Sequence, residues 1–309
     1  MSHANLFLEA LDRKARMFAP HARGTFEANR ELCSWLLDPL ARWAEAAYGS
    51  SVFDDAASGY AEYCFGVAKA KQVYERAGKY TPEAMPEIMS EVYEHEDYMI
   101  PYMWAAILIY PFWPSMVSHM AMFRDEFVRR LPRNASVLEL ACGHGVLSLL
   151  AAEERPDIQV EGTDISPPAV AVANRLLAVS GHAGRVRFAV QDALENDALR
   201  NDALQTDHQG GNGKCQGVIS AMLAEHLMDP KPLFAAMARR VSPEGLVFFS
   251  TALESPQRDH VFEYNHESET LHMAEAAGLR VTRLASDASA VPAGSRFLPR
   301  ATAMILRAR

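Results

Sequence analysis

Residues 137–164, VLELACGHGVLSLLAAEERPDIQVEGTD, decide the fold of this chain. They begin as a buried apolar strand, continue through a turn of small residues and an apolar helix, and end as a second strand at Asp164. Glycines after a parallel strand let the backbone approach a ligand closely, and an acid about 20 residues further on can bind ribose hydroxyls. The stretch therefore predicts the first β-α-β unit of a nucleotide-binding sheet whose ligand contains a nucleoside.

The turn lacks both of the usual phosphate-binding patterns. A dinucleotide site needs Gly-x-Gly-x-x-Gly and a P-loop needs Gly-Lys followed by Ser or Thr, whereas Gly145 is followed here by Val, Leu and Ser. Glu139 stands beside the turn, where it would repel a phosphate but could pair with an ammonium group. A nucleoside that carries an amino acid and no phosphate fits S-adenosylmethionine (SAM), which is the predicted cofactor.

Four motifs, in order along the chain, resemble those of class I SAM-dependent methyltransferases. They are ELACGHG at 139–145, DIS at 164–166, QDA at 191–193 and the run 218–227. The resemblance covers roughly residues 135–309, with Ala141 in place of the first family glycine and Gln216 in place of a strand-opening acid. It implies an α/β fold, a Rossmann-like sheet of seven strands with the last pair antiparallel. It also implies that Gly143 and Gly145 pass under the methionine part of SAM, that Asp164 holds the ribose hydroxyls and that Asp192 with Ala193 meets the adenine. The further cofactor-binding candidates are Glu139, Ala141, Ile165 and Ser220.

Composition indicates an ordinary globular protein. With 309 residues, 49% of them hydrophobic, the chain can bury one large or two modest domains. We predict a helical lid and substrate domain at 1–132 and a SAM-binding domain at 133–309. A net charge of −9 argues against a nucleic-acid partner, because binding a duplex needs a positive surface. The four cysteines are scattered without a CxxC pair and no export signal is visible, so a reducing cytoplasm is expected.

The first 130 residues predict five or six packing helices, through which a homodimer could form. Their most apolar run, MIPYMWAAILIYPFWP at 99–114, is shorter than the ~20 residues of a membrane span and contains prolines, so no membrane partner is expected. The run is typical of a core helix. Its aromatic residues could also surround a sulfonium cation. We therefore hold Tyr110 as a catalytic candidate and Tyr98, Tyr102 and His119 as substrate contacts.

The loop after the fourth predicted strand offers the best acid and base candidates. It contains Glu225 and His226 and must face the ligand crevice, because ligands bind at the carboxyl ends of parallel strands. An imidazole titrates near neutrality and could take a proton from a nucleophile, although His226 could instead serve only to pack or cap. Between the third and fourth strands, residues 195–214 are interpreted as a mobile surface insertion.

A histidine cluster near the C-terminus raises the question of a metal. His260, His266 and His272 are six residues apart, which is not the i, i+4 spacing of a helical metal site, so no metal is predicted. His260 and Tyr264 are kept as substrate-side candidates.

The sequence leaves three functions open. The leading one is methyl transfer to a small-molecule acceptor, in specialised metabolism. The second is a SAM-consuming cyclase or lyase that resembles the azetidine-2-carboxylate synthases, in which the amine of SAM attacks its own γ-carbon and methylthioadenosine is released. The third is a non-catalytic SAM-binding subunit.

Overall fold

The computed structural model describes residues 3–80, 85–194, 213–286 and 299–309. The insertion predicted at 195–214 therefore lies, except for its last two residues, outside the described residues. Within these ranges an all-helical N-terminal region is followed by a seven-stranded sheet with helices on both faces. This arrangement confirms the predicted α/β fold class.

Seven α-helices precede the sheet in the described residues, slightly more than the five or six predicted. They are α1 (Ala4–Lys14), α2 (Ala19–Ala28), α3 (Arg30–Tyr48), α4 (Val52–Ala77), α5 (Met85–Ile88), α6 (Glu96–Phe112) and α7 (Pro114–Ala121). Two wider π-helical turns, Met89–Tyr93 and Met122–Phe127, follow α5 and α7. Such turns are uncommon and often occur at functional sites, and the first of them carries Tyr93 to the cavity described below.

The sheet has the strand order β3-β2-β1-β4-β5-β7-β6. Its strands are β1 (Ser136–Leu140), β2 (Gln159–Asp164), β3 (Val186–Val190), β4 (Cys215–Ala221), β5 (Val241–Leu253), β6 (Leu279–Ser286) and β7 (Arg300–Ala308). The first five strands are parallel, and β7 runs antiparallel to both β5 and β6. The helices of this half are α8 (Val146–Glu154), α9 (Pro167–Ser180), α10 (Lys231–Arg240) and α11 (Glu267–Ala276). The antiparallel last pair confirms the expectation drawn from the family resemblance.

The N-terminal helices and one face of the sheet share a continuous hydrophobic core. Phe123 packs against Phe248 of β5 with ring centroids 5.1 Å apart, and the Trp35 indole of α3 donates a 2.7 Å hydrogen bond to Glu154 of α8. On the opposite face, Phe234 of α10 lies 4.8 Å from Phe249. The helical region is thus packed onto the sheet through apolar contact, while a domain boundary at 132/133 stays a prediction.

Helix α6 is the most apolar segment of the chain and lies inside the protein. Trp104, Tyr110 and Phe112 are each at most 5% exposed, and the α6 backbone passes so close to α4 that a Cβ atom on Gly59 would lie 2.6 Å from the Pro101 carbonyl oxygen. In the described part of the chain, no single helix has the length and apolarity needed to cross a membrane. One pair of consecutive helices is long and apolar enough only when taken together, and its two members are bent by 83° to one another: Glu96–Phe112 and Pro114–Arg130.

Candidate active site

A cavity of about 300 Å³, here called the central cavity, lies at the carboxyl ends of β1, β2 and β4 beneath helices α4 and α6. Its location follows from the fold, since the loops after parallel strands meet at this edge of the sheet. Five methionines line its walls. Four tyrosines also line it: Tyr63, Tyr93, Tyr102 and Tyr110. The helical region therefore closes the cavity with polarisable and aromatic side chains.

The floor of the central cavity is the turn after β1. Ala141 and Gly143 adopt positive φ angles of 55° and 50°, and a Cβ atom on Gly143 would lie 3.4 Å from the sulfur of Met103. The Asp164 carboxylate holds this turn, because its Oδ2 accepts a 2.7 Å hydrogen bond from the Gly143 N–H and its Oδ1 accepts one of 2.8 Å from the Ser166 N–H. The turn is thus fixed with its backbone facing the cavity.

Burial changes the protonation of the carboxylate at the end of β1. Glu139 is 2% exposed and accepts hydrogen bonds from the hydroxyl and the backbone N–H of Ser148. Desolvation outweighs these bonds and raises the pKa of Glu139 to about 8, with a further contribution from the charge of Asp164. Glu139 therefore holds its proton near neutrality, and a cation placed in the cavity would favour the ionised form.

The far end of the cavity is formed by the residues after β2 and β3. Ile165, Asp192 and Ala193 line it, and the Asp192 Oδ1 accepts a 2.8 Å hydrogen bond from the N–H of Leu194. This bond fixes the short turn that presents the Asp192 side chain. The structure therefore brings these three cofactor-binding candidates to the central cavity.

The charges of the cavity fit SAM and do not fit a phosphorylated nucleotide. Four acidic side chains line the cavity: Glu139, which becomes ionised when a cation lies beside it, and Asp164, Asp192 and Glu225. Among the described lining residues none is Lys or Arg. A ligand with a sulfonium and an ammonium is favoured by such a surface, whereas a pyrophosphate is repelled. The volume is at the lower end of the range for small-molecule sites, so one cofactor nearly fills it.

Three polar residues, here called the imidazole–carboxylate cluster, meet at the wall formed by the loops after β4 and β5. They are Glu225, His226 and His260, which each bring one donor atom within 4.8 Å of the other two. The two imidazole rings are 4.8 Å apart and nearly perpendicular. Glu225 is fixed by hydrogen bonds from the Thr251 hydroxyl at 2.7 Å and the Ala252 N–H at 3.2 Å.

The hydrogen bonds of the two histidines define their tautomers. The Nδ1 of His226 is 3.0 Å from the Asp259 carbonyl oxygen, and the Nδ1 of His260 is 2.6 Å from that of Ser255. A carbonyl oxygen only accepts, so we assign the hydrogen of each ring to Nδ1 and the lone pair to Nε2. In this tautomer the Tyr93 hydroxyl, also 3.0 Å from the Nδ1 of His226, does not donate to that nitrogen. Burial also lowers the pKa of His260, which keeps it neutral. The cluster can therefore accept a proton or bind a metal ion.

The histidines that meet in the fold are not the pairs spaced six residues apart in the sequence, and the prediction that no metal binds stays a prediction. His266 caps α11 by accepting a hydrogen bond from the Ser268 N–H, and His272 is exposed, so neither takes part in the cluster. His260 instead meets His226, which is 34 residues earlier in the chain. Helical spacing carries no information about such a pair, because the β4 and β5 loops come together only in the folded sheet.

The tyrosines of the central cavity are neutral hydrogen-bonding groups. Burial raises the pKa of Tyr93, Tyr102 and Tyr110 above the usual range of tyrosine, so none of them is ionised near neutrality. Tyr110 can thus position a ligand but is a poor proton acceptor. The Tyr93 hydroxyl lies 3.0 Å from the Nδ1 of His226, a contact that the sequence pattern did not indicate.

Five of the candidate residues do not line the central cavity: Gly145, Ser220, Tyr98, His119 and Tyr264. Gly145 packs beneath β3, since a Cβ atom there would lie 2.5 Å from the ring of Phe188. His119 and Tyr264 are fully buried elsewhere, in α7 and below β5. Ser220 is buried within β4, one residue before the cavity begins. The geometry therefore does not support the assignments of Gly145, Ser220, His119 and Tyr264, whereas that of Tyr98 as a substrate contact stays a prediction.

Tyr98 lines a second cavity of about 570 Å³, here called the outer cavity. It lies between α4, α6 and the residues after β5, and it shares Tyr63 and Tyr102 with the central cavity. Charged side chains of both signs line it: Glu62, Lys69, Lys79, Asp97 and Arg258. The two tyrosines therefore separate the two cavities.

Comparisons with known proteins agree with this geometry. A model of the methyltransferase domain family matches residues 115–283, more than half of the chain. The ubiquinone biosynthesis O-methyltransferase of Nitrosomonas europaea is 30% identical over 176 residues, which are 50% of this chain and 67% of that one. Ajmaline N-methyltransferase of Rauvolfia serpentina is 34% identical over 119 residues, 38% of this chain and 35% of that one.

A solved structure, the mitomycin 7-O-methyltransferase MmcR, has the same fold with a TM-score of 0.50 and 15% identity, over 90% of this chain and 75% of that one. Most of the curated relatives are matched over less than half of their own length. The family match, the strand order and the cavity together identify this chain as a member of the class I methyltransferase domain family, whose cofactor is SAM.

Proposed function

We propose that this protein transfers the methyl group of SAM to an oxygen or nitrogen of a small-molecule acceptor, in specialised metabolism. One observation carries the proposal: the SAM-binding turn and the imidazole–carboxylate cluster line the same cavity. SAM supplies an electrophilic methyl group on a sulfonium. The turn and its carboxylates bind and orient that group, while the cluster faces the position where an acceptor loses its proton. The names of the relatives, which include O- and N-methyltransferases, agree with such acceptors.

The outer cavity is the proposed route for the acceptor. The central cavity has room for little more than the cofactor, whereas the outer one holds about 570 Å³ and touches it through Tyr63 and Tyr102. Tyrosine, proline and valine side chains of its wall favour a flat, partly apolar molecule. A movement of the two shared tyrosines would join the cavities and exclude water during transfer.

The function is tested by incubating the purified protein with SAM and a panel of small phenols, amines and carboxylic acids, followed by mass spectrometry. We expect S-adenosylhomocysteine together with one methylated acceptor. The result that contradicts the proposal is SAM turnover at the same rate, and to the same products, with and without every acceptor.

The affinity for SAM is expected to rise about tenfold per pH unit between pH 6.5 and 7.5. Glu139 has a pKa of about 8 in the free protein, and a neighbouring ammonium group stabilises only its ionised form. Binding below pH 8 therefore releases a proton, so a higher pH favours the complex until Glu139 is already ionised. Calorimetry in buffers of different ionisation enthalpy measures both the affinity and the proton released.

The control for this measurement is Glu139→Gln, which keeps an acceptor for Ser148 without a titrating group. We expect this variant to bind SAM more weakly at pH 8 and with an affinity that does not change over the same range. If the SAM affinity of the variant still rose with pH as in the wild type, a group other than Glu139 would be releasing the proton.

A second candidate, the SAM-consuming cyclase, is favoured by one observation. Helices cover the central cavity, and its volume of about 300 Å³ leaves little room beyond one ligand, whereas a reaction within SAM needs no second one. Mass spectrometry after incubation with SAM alone separates the candidates. Methylthioadenosine with a cyclic amino acid indicates the cyclase, whereas intact, bound SAM leaves methyl transfer as the function.

The cellular compartment and the oligomeric state of the protein are also proposed here. The four cysteines are free and buried, which agrees with a reducing compartment such as the cytoplasm. A homodimer through the helical region stays a prediction, which a measurement of molar mass in solution tests.

A further inference from the structure

We propose that Glu225, His226 and His260 form a three-ligand site for a divalent transition-metal ion, such as Zn²⁺ or Fe²⁺, on the wall of the central cavity. The site goes beyond the proposed methyl transfer and does not depend on it. Two imidazoles and one carboxylate are the donor set of many open metal sites, in which the remaining position binds a substrate or water. Imidazole donors select transition metals over Mg²⁺ and Ca²⁺.

The hydrogen bonds around the two histidines agree with this role. In metal sites the ligating imidazole almost always donates its second N–H to a carbonyl or a carboxylate. His226 donates from Nδ1 to the Asp259 carbonyl and His260 donates from Nδ1 to the Ser255 carbonyl. Both Nε2 lone pairs are therefore available, and the hydrogen bonds from Nδ1 fix the orientation of both rings.

A buried carboxylate provides an independent observation. Asp259 is 1% exposed, its Oδ2 has no hydrogen-bond partner among the described residues, and this oxygen lies 3.3 Å from the Nδ1 of His226. With Glu225, also 1% exposed, it places two carboxylates beside two imidazoles. A buried carboxylate oxygen without a hydrogen-bond partner is unfavourable. A metal ion bound to His226 would polarise the ring and strengthen its Nδ1–H as a donor toward that oxygen.

Binding requires the three residues to approach one another. One donor atom of each lies within 4.8 Å of the other two, and an ion with bonds of about 2.0–2.2 Å in tetrahedral geometry would draw the donors to roughly 3.3–3.6 Å. Because all three residues line the central cavity, the open coordination position faces it. The metal would lower the pKa of an acceptor hydroxyl bound there, so that its proton could pass to water, and His226 would act as a ligand instead of a proton acceptor.

The test is titration of the full, chelator-treated protein with Co²⁺, read by visible absorption and calorimetry without SAM. We expect one Co²⁺ per chain, displaced by Zn²⁺. His260→Ala and Glu225→Gln should each weaken binding at least tenfold. Asp259→Asn keeps the backbone carbonyl that accepts from His226 but removes the buried carboxylate beside its Nδ1, and it should weaken binding about tenfold. His272→Ala, which changes an exposed histidine on α11, should bind as the wild type does.

Circular dichroism and SAM binding of each variant report whether the fold is retained. Glu225→Gln preserves the shape of the side chain, so it decides the question if His260→Ala fails to fold. The proposal is overturned if the wild type binds no Co²⁺, or if the Glu225→Gln/His260→Ala double variant binds it as tightly as the wild type. Because the readout is the metal itself, a failure of methyl transfer leaves this result unaffected.

Discussion

Replacing Asp164 by alanine is expected to weaken the binding of SAM at least about 100-fold. The Asp164 carboxylate accepts hydrogen bonds from the N–H groups of Gly143 and Ser166 through its two different oxygens, and its side chain lines the central cavity. Alanine removes both bonds and leaves the turn after β1 without its anchor. The family resemblance also implies that Asp164 holds the ribose hydroxyls, so a ligand contact is lost with the same change. Calorimetric titration with SAM measures the loss.

Two further variants separate these effects. Asp164→Asn retains one accepting oxygen but turns an NH₂ group toward an N–H donor, so we expect an intermediate loss of about tenfold to 100-fold. Asp229→Ala removes a carboxylate that accepts a 3.1 Å hydrogen bond from Lys231 at the start of α10 and does not line the central cavity. Its affinity for SAM should match that of the wild type. An unimpaired affinity in Asp164→Ala would show that this carboxylate does not organise the cofactor site.

Two glycines of α4 are expected to respond in opposite directions to the same substitution. A Cβ atom on Gly59 would lie 2.6 Å from the carbonyl oxygen and 3.2 Å from the carbonyl carbon of Pro101 in α6, whereas a Cβ on Gly66 would meet nothing within 4 Å. Gly59→Ala must therefore push two helix backbones apart and should lower the free energy of unfolding by about 2–3 kcal/mol. Gly66→Ala gains helix propensity at no steric expense and should raise it by about 0.5–1 kcal/mol.

Urea denaturation followed by circular dichroism measures both changes. The Gly59 substitution should also weaken SAM binding, because α4 and α6 supply Tyr63, Tyr102 and Tyr110 to the central cavity. Gly66→Ala is the matched control, being the same chemical change in the same helix. Equal effects of the two substitutions would show that the contact between Gly59 and Pro101 does not limit the packing of the lid.

The sequence by itself determined the sheet and the cofactor end of the site. The β1 turn, Asp164 and Asp192 follow buried strands at short range, and the pattern of apolar runs and turns places them at one edge of the sheet. Their spacing is therefore sufficient to predict that they share a cavity. Glu139 and its possible pairing with an ammonium group were also visible, although the size of its pKa shift depends on the burial that the fold provides.

Only the tertiary structure decided which side chains of the helices and of the β4 and β5 loops line the central cavity opposite the cofactor-binding turn. Periodicity shows which face of a helix is apolar but not which neighbour it meets, so it did not separate Tyr102 and Tyr110 in the central cavity from Tyr98 in the outer one or from His119 in the core. Periodicity also did not predict the contact between His226 and His260, because contacts between residues on different loops depend on strand order and on the path of each loop. Local sequence determines local structure, and the pairing of distant side chains is fixed by packing.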